Sequence, residues 1–244
     1  MANLNTYLCV AYGGATAACP PGHTMEALRK GIEVGANMTY LEVRAARDGE
    51  MIAWPSMQRL LDEQPVHLSD HTLAEWRRLT QNDPSPVLSL DDALALIART
   101  RTAVAIDLRV HGTENNLARM LRRHAIPYES LIVLCHTPAI KNMLRSMDRR
   151  IPLGHRFAME HQAQVTQSLL RDLDEDAVFW PAQALKPAVV QSLKERGVAV
   201  YGGPVNLIQD MRRLRDECGV DGILTPYPEL LVEFTSGVKQ PRAA

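Results

Sequence analysis

The sequence predicts an α/β protein built as a (β/α)8 TIM barrel, and three observations carry that expectation. Eight short apolar runs, many rich in β-branched residues, alternate with longer amphipathic stretches. Such runs read as strands buried on both faces, as a parallel sheet covered by helices requires. The chain has 244 residues, close to the ~250 that one such barrel occupies. A doubly wound open sheet is the competing architecture, but no Gly-x-Gly-x-x-Gly follows the first strand to support it.

The first strand is expected over Leu8–Ala11, and a helix over Thr24–Val34, with Thr24 as its cap and Met25, Leu28 and Ile32 on one face. The second strand covers Met38–Val43. Arg47-Asp48-Gly49 then precedes a further apolar run, Met51–Trp54. Asp-Gly between apolar runs signals a hairpin, so a small hairpin insertion should fold back at the barrel top before a helix over Thr72–Leu79. The helix Ser89–Arg99 opens on a Ser cap with Asp92 three residues on. Strand three spans Ala103–Leu108, strand four Leu131–Cys135 and strand five Ile151–Gly154. Strand six spans Ala177–Trp180, strand seven Val198–Tyr201 and strand eight Gly222–Thr225. Helices over Thr113–His124, Pro138–Met147, Pro187–Arg196 and Leu207–Cys218 fit the intervals. No repeat or linker divides the chain, so residues 1–244 read as one domain with a frayed tail, Ser236–Ala244.

Composition narrows the function. With 27 basic and 28 acidic side chains the net charge is -1. That balance lacks the chain-wide positive field of a nucleic-acid or anionic-lipid binder. Aromatics are 5%, too few for a platform that stacks single-stranded bases. No apolar run approaches the ~18 residues of a membrane span, and the first residues lack the basic and apolar regions of a signal peptide. Cys9, Cys19, Cys135 and Cys218 have no C-x-x-C spacing, which argues against a disulfide framework or a cysteine zinc site. A reducing, cytoplasmic compartment is the expectation.

Barrel chemistry sits at the C-terminal ends of the strands, where a small-molecule ligand would bind. That rule selects Tyr12 and Gly13, Tyr40 and Glu42, Asp107 and Arg109, His136, His155, Trp180, Gly203 and Thr225. Tyr12 and Tyr40 should face each other from neighbouring strands, either as hydroxyls that bind a ligand or move a proton, or as plugs. Glu42, Asp107 and Arg109 read either as an internal salt bridge or as a ligand or metal site. His23 opens the first helix, where an anion could meet the helix N-terminus. Cys135 and His136 are neighbours on a strand and point to opposite faces.

At these residues the chain resembles the glycerophosphodiester phosphodiesterases. Tyr12-Gly13-Gly14 followed by Pro20-Pro21-Gly22-His23-Thr24 is similar to the family's HRG…PENT opening. GIEVGANMTYLEVRAARDG, LSDHTLAEWRRL, SPVLSLDDALALI, AIDLR and GVDGILTPYPELL follow in the family's order, over about Cys9 to Phe234. The resemblance implies a barrel, lipid metabolism, and phosphodiester cleavage by two histidines with a divalent metal held by three carboxylates.

Position by position, the implied apparatus is altered. Tyr12 stands for the first histidine and Gly13 for its arginine. Gly22 stands for the glutamate of PENT, and His23 for the asparagine. Tyr40 replaces a metal glutamate, whereas Glu42 and Asp107 keep two carboxylates that could hold Mg²⁺ or Ca²⁺. Pro55 stands for the second histidine and Arg109 for the family's lysine. Proline moves no proton, and tyrosine, with an ordinary pKa of ~10, is a weak base at neutral pH. The expectation is a family barrel without two-histidine hydrolysis. It would be a pseudoenzyme, monomer or homodimer, that binds a small phosphoester, a sugar-like ligand or a partner protein, with Asp107, Arg109, His136, His155 and Trp180 as ligand contacts. One alternative is altered acid/base chemistry through Tyr12, His23, Tyr40 and Glu42. The other is a divergent metal-dependent phosphoric diester hydrolase.

Overall fold

Eight strands pair in parallel and close on themselves in a computed structural model that describes residues 8–157 and 173–236. In chain order, β1 (Leu8–Tyr12) leads to α1 (Met25–Glu33), and β2 (Met38–Ala45) turns back into β3 (Met51–Ala53). β4 (Gln58–Leu61) and β5 (Gln64–His67) pair with each other, before α2 (Leu73–Leu79), β6 (Leu88–Ser89) and α3 (Leu90–Ile97). Then come β7 (Ala103–Leu108), α4 (Glu114–Arg123), β8 (Leu131–Cys135), α5 (Pro138–Met147) and β9 (Leu153–Arg156). β10 (Ala177–Trp180), α6 (Pro187–Lys194), β11 (Ala199–Gly202), α7 (Ile208–Arg212), β12 (Gly222–Thr225) and α8 (Pro228–Ser236) complete the described elements.

The barrel runs β1, β2, β7, β8, β9, β10, β11, β12 and back to β1. β3 adds antiparallel to β2, with Val43 opposite Ala53, and β6 adds to β3. The Asp48-Gly49 turn is therefore the hairpin that the sequence predicts. The tail 237–244 lies outside the described residues.

Strand alternation sorts the core into layers. Val10, Met38, Tyr40, Ala105, Ile132, Leu134, Ala177, Phe179, Tyr201 and Leu224 fill the barrel interior. Their neighbours on the same strands face the helices: Leu41, Val43, Val104, Ile106 and Val133 on one side, Cys9, Ala11, Val178, Val200 and Ile223 on the other. Removing one large side chain of this kind from water contributes about 1.5–3 kcal/mol.

The helix starts obey local rules. Thr24 Oγ1 accepts from Ala27 N at 3.1 Å, and Ser89 Oγ from Asp92 N at 3.1 Å. Thr72 and Glu75 form a reciprocal capping box, which satisfies N–H groups that the first turn leaves orphaned.

Three expectations shift. The fifth strand is Leu153–Arg156, so it starts and ends two residues later than Ile151–Gly154. The predicted helix Leu207–Cys218 is a short α-helix continued by a π-helical turn over Arg213–Cys218, and Gly219 ends it in a left-handed conformation. The β4–β5 hairpin has no alternating apolar signal: half of its strand residues are exposed, the buried one is Arg59, and Pro65 interrupts one strand. Among the described residues, no helix is long and apolar enough to cross a membrane.

Candidate functional site

The C-terminal ends of β1, β2, β7, β8 and β9 converge on one polar cluster. Parallel register sets Tyr12 beside Tyr40 and Glu42 beside Asp107. The two tyrosine rings stack with centroids 5.7 Å apart. Tyr12 donates its hydroxyl to Glu42 Oε2 at 2.9 Å, and Tyr40 donates to Asp107 Oδ2. Arg109 Nη2 donates to Glu42 Oε1 and to Asp107 Oδ2, both at 2.8 Å, while its Nε reaches Oδ2 at 3.0 Å. Arg156 Nη1 donates to Glu42 Oε1 at 2.8 Å, to the Tyr40 hydroxyl at 3.0 Å and to Asp107 Oδ2 at 3.2 Å. His136 Nε2 bonds the other Asp107 oxygen, Oδ1.

Burial divides this cluster into two tiers. The side chains of Glu42 and Asp107 are 6% and 0% exposed, whereas Arg109 and Arg156 are 26% and 25% exposed. The carboxylates thus lie beneath and the guanidiniums above them. Burial by itself would raise the Asp107 carboxyl. The His136 hydrogen bond and charge, Arg109 and the Tyr40 hydroxyl outweigh it and hold the group well below the carboxylate range. Burial is also the first cause that lifts Tyr12 and Tyr40 far above an ordinary phenol; next comes the charge of Glu42 for Tyr12 and of Asp107 for Tyr40. Both phenols are therefore held as neutral donors.

Arg44, on the same strand as Glu42, adds a third guanidinium. Burial and then the repulsion of Arg109 lower its pKa, and it feels the charges of Glu42 and Asp107 as well. Its Nη2 donates to the Pro55 carbonyl at 3.1 Å. Trp54, the residue before, donates its N–H to Glu42 O at 2.9 Å. Pro55 therefore stands at the level of Glu42 on the rim.

His23 is placed below the mouth. It is 1% exposed and its Nε2 accepts from the Glu42 backbone N–H at 3.2 Å. Its ring meets Tyr12 edge to face with centroids 5.4 Å apart. Burial pushes its pKa down to about 4. The ring is thus neutral at pH 7, with its proton on Nδ1, which has no hydrogen-bond partner among the described residues.

Tyr12, Tyr40, Glu42, Asp107, Arg109 and His136 are brought together as the strand-end rule expects. His155 and Trp180 are not. Trp180 packs among the helix-facing side chains, with its ring 4.1 Å from that of Phe157, and His155 meets the same Phe157 ring at 4.6 Å. Alternation turns Arg156 and Phe179 inward instead. Cys135 faces the helix-side core while His136 faces the mouth. Burial pushes the Cys9 and Cys135 thiols up to about 12, so neither is a ready nucleophile at neutral pH.

The donor set does not suit the divalent cation that the fold implies. Among the described residues, no three His, Cys, Asp or Glu side chains come together as a metal group. Glu42 Oε1 and Asp107 Oδ2 already accept from two guanidiniums, and their other oxygens are bonded to Tyr12 and His136. Tyr40, a neutral phenol, contributes no third carboxylate.

Barrel closure, an elaborated second strand and a strand-end polar cluster define a (β/α)8 TIM-barrel protein with its polar site at the C-terminal strand ends. The glycerophosphoryl diester phosphodiesterase family model matches residues 14–230, and the chain belongs to that family. Its fold is shared with a phosphodiesterase of Oleispira antarctica solved with the product sn-glycerol-3-phosphate (TM-score 0.80, 17% identity, 95% of this chain and 97% of that one). It is shared also with glycerophosphodiester phosphodiesterases of Parabacteroides distasonis (0.79, 15%, 96% and 99%) and Thermotoga maritima (0.76, 19%, 94% and 99%). Among curated proteins, none matches the sequence significantly.

Proposed function

We propose that this chain is a non-hydrolytic member of its family that binds a small anionic ester at the barrel mouth. The observation that carries the reading is the state of the proton-transfer positions. Tyr12 stands where the resemblance puts the first histidine, and its hydroxyl is donated to Glu42 Oε2 with a raised pKa. Pro55, at the second position, carries no proton to move. General acid/base catalysis is most efficient when the group's pKa lies near the working pH, and neither residue meets that condition. The two guanidiniums are more exposed than the carboxylates they cover, so the face offered to a ligand is positive, which favours an anion. The test is turnover of sn-glycero-3-phosphocholine beside calorimetric titration with sn-glycerol 3-phosphate. Binding without turnover is expected; product release that scales with enzyme concentration would sink the reading.

One observation favours a second reading, altered chemistry in the same pocket. His136 is oriented by Asp107 and its side chain is 30% exposed, an arrangement suited to a general base. Turnover that His136→Ala abolishes would select it.

A further inference from the structure

We propose that Arg109 and Arg156 take the place of a divalent cation between Glu42 and Asp107 and make the mouth a metal-independent receptor for a phosphate-type oxyanion. The inference rests on the reading above that a small anionic ester binds there. Nη2 of Arg109 and Nη1 of Arg156 come from two different strand ends, yet both bridge the same two oxygens, Glu42 Oε1 and Asp107 Oδ2. Ca²⁺ takes oxygens at ~2.3–2.6 Å and Mg²⁺ at ~2.0–2.1 Å. An ion bridging that pair would stand directly against two positively charged nitrogens.

The tiers point the same way. A cation arriving from solvent meets the guanidiniums before it meets a carboxylate, because the carboxylates are buried and the arginines are a quarter exposed. An oxyanion meets them first as partners. Arg109 Nη1 and Arg156 Nη2 make no hydrogen bond to other described residues. Their N–H groups are available, and a guanidinium matches two oxygens of a phosphate at once. Arg44, two residues beyond Glu42 on the same strand, turns its guanidinium to the Pro55 carbonyl and adds a positive charge near the rim without pairing to either carboxylate.

The experiment uses chelator-treated protein in two measurements: equilibrium dialysis against Ca²⁺, and calorimetry with sn-glycerol 3-phosphate in EDTA or in Mg²⁺. Wild-type protein is expected to retain no Ca²⁺ and to bind glycerol phosphate equally in both buffers. The double variant Arg109→Ala/Arg156→Ala, which uncovers the carboxylates, should gain Ca²⁺ binding and lose glycerol phosphate affinity by about tenfold or more. Should the double variant not fold, Arg156→Lys keeps the charge without the fork; it should weaken glycerol phosphate and still exclude Ca²⁺. Stoichiometric Ca²⁺ on the wild-type protein, glycerol phosphate binding that disappears in EDTA, or no glycerol phosphate binding at all would overturn the proposal. Diester cleavage in EDTA would instead remove the non-hydrolytic reading and leave the arginine assignment standing.

Discussion

The backbone N–H of Glu42 donates to Nε2 of His23 at 3.2 Å, so a fully buried imidazole holds the strand that carries a mouth carboxylate. A ring that accepts at Nε2 and lies out of water resists protonation, and burial sets its pKa at about 4 against an ordinary 6.5. The unfolded chain therefore takes up the proton first as pH falls. Stability is unaffected above about pH 6.5, declines between about 6.5 and 4, and stops declining on this account below that, with a full effect of about 3 kcal/mol. Asp107, held low, extends the loss below the ordinary carboxylate range. Urea unfolding from pH 7.5 to 4.5 checks this: His23→Asn should flatten the slope, and an unchanged slope would show that another group titrates there.

The same ring explains the glycine at position 13. Gly13 has φ +61, and a Cβ built on it would collide with Nδ1 of His23. Gly13→Ala should therefore cost about 2–4 kcal/mol, from left-handed strain plus overpacking. His23→Asn removes the ring, and asparagine tolerates the φ of 55 found at position 23. The cost of Gly13→Ala should fall by about 1 kcal/mol or more in that background. Additive costs in a double-mutant cycle would mean that the collision relaxes elsewhere.

Much of this arrangement was legible in the sequence. Six of the strand-end residues the sequence singles out meet at the mouth, because parallel strands of a barrel deliver their ends to one face. Arg156 was missed because its strand continues two residues past Gly154, and His155 was named in its place. Trp180 ends its strand as expected, but two-residue alternation turns it to the helices and gives the interior to Phe179. Position along a strand is legible in a sequence, whereas the face a residue takes depends on where the strand starts and ends. Arg44 was missed for a different reason. Its role comes from the returning hairpin, which brings Pro55 and the mouth charges to it, and that contact has no periodic signature.

Removing one partner from the paired tier should reveal how tightly it is balanced. Asp107→Ala leaves two guanidiniums facing Glu42 alone. It should cost about 3 kcal/mol, at the low end for a broken buried pair because both arginines still reach water. Tyr40→Phe removes one hydroxyl that donates to Asp107 and accepts from Arg156, and should cost about 1–2 kcal/mol. Denaturant midpoints rank the two. If Tyr40→Phe proved the more damaging, the phenol rather than the carboxylate would be the centre of the network.

The β4–β5 hairpin pairs only with itself, so its attachment to the barrel rests on side chains. Arg59 is the main candidate for that attachment. It is buried, donates Nη2 to Asp83 Oδ2 at 2.8 Å and to the Ser85 carbonyl, and lies over the Trp54 ring at 4.5 Å. Arg59→Met keeps most of the bulk but leaves those acceptors without their donor, a loss of about 1–3 kcal/mol. The effect should be local, because among the described residues the hairpin is otherwise held only at its edge, by the Trp54 N–H to the Gln58 carbonyl and by Leu61 and Val66 on a satellite core, and such elements open below the global unfolding energy. Amide exchange over Gln58–His67 should accelerate while β7 and β8 keep their protection. Equal acceleration in the barrel strands would show that Arg59 supports the whole fold rather than this insertion.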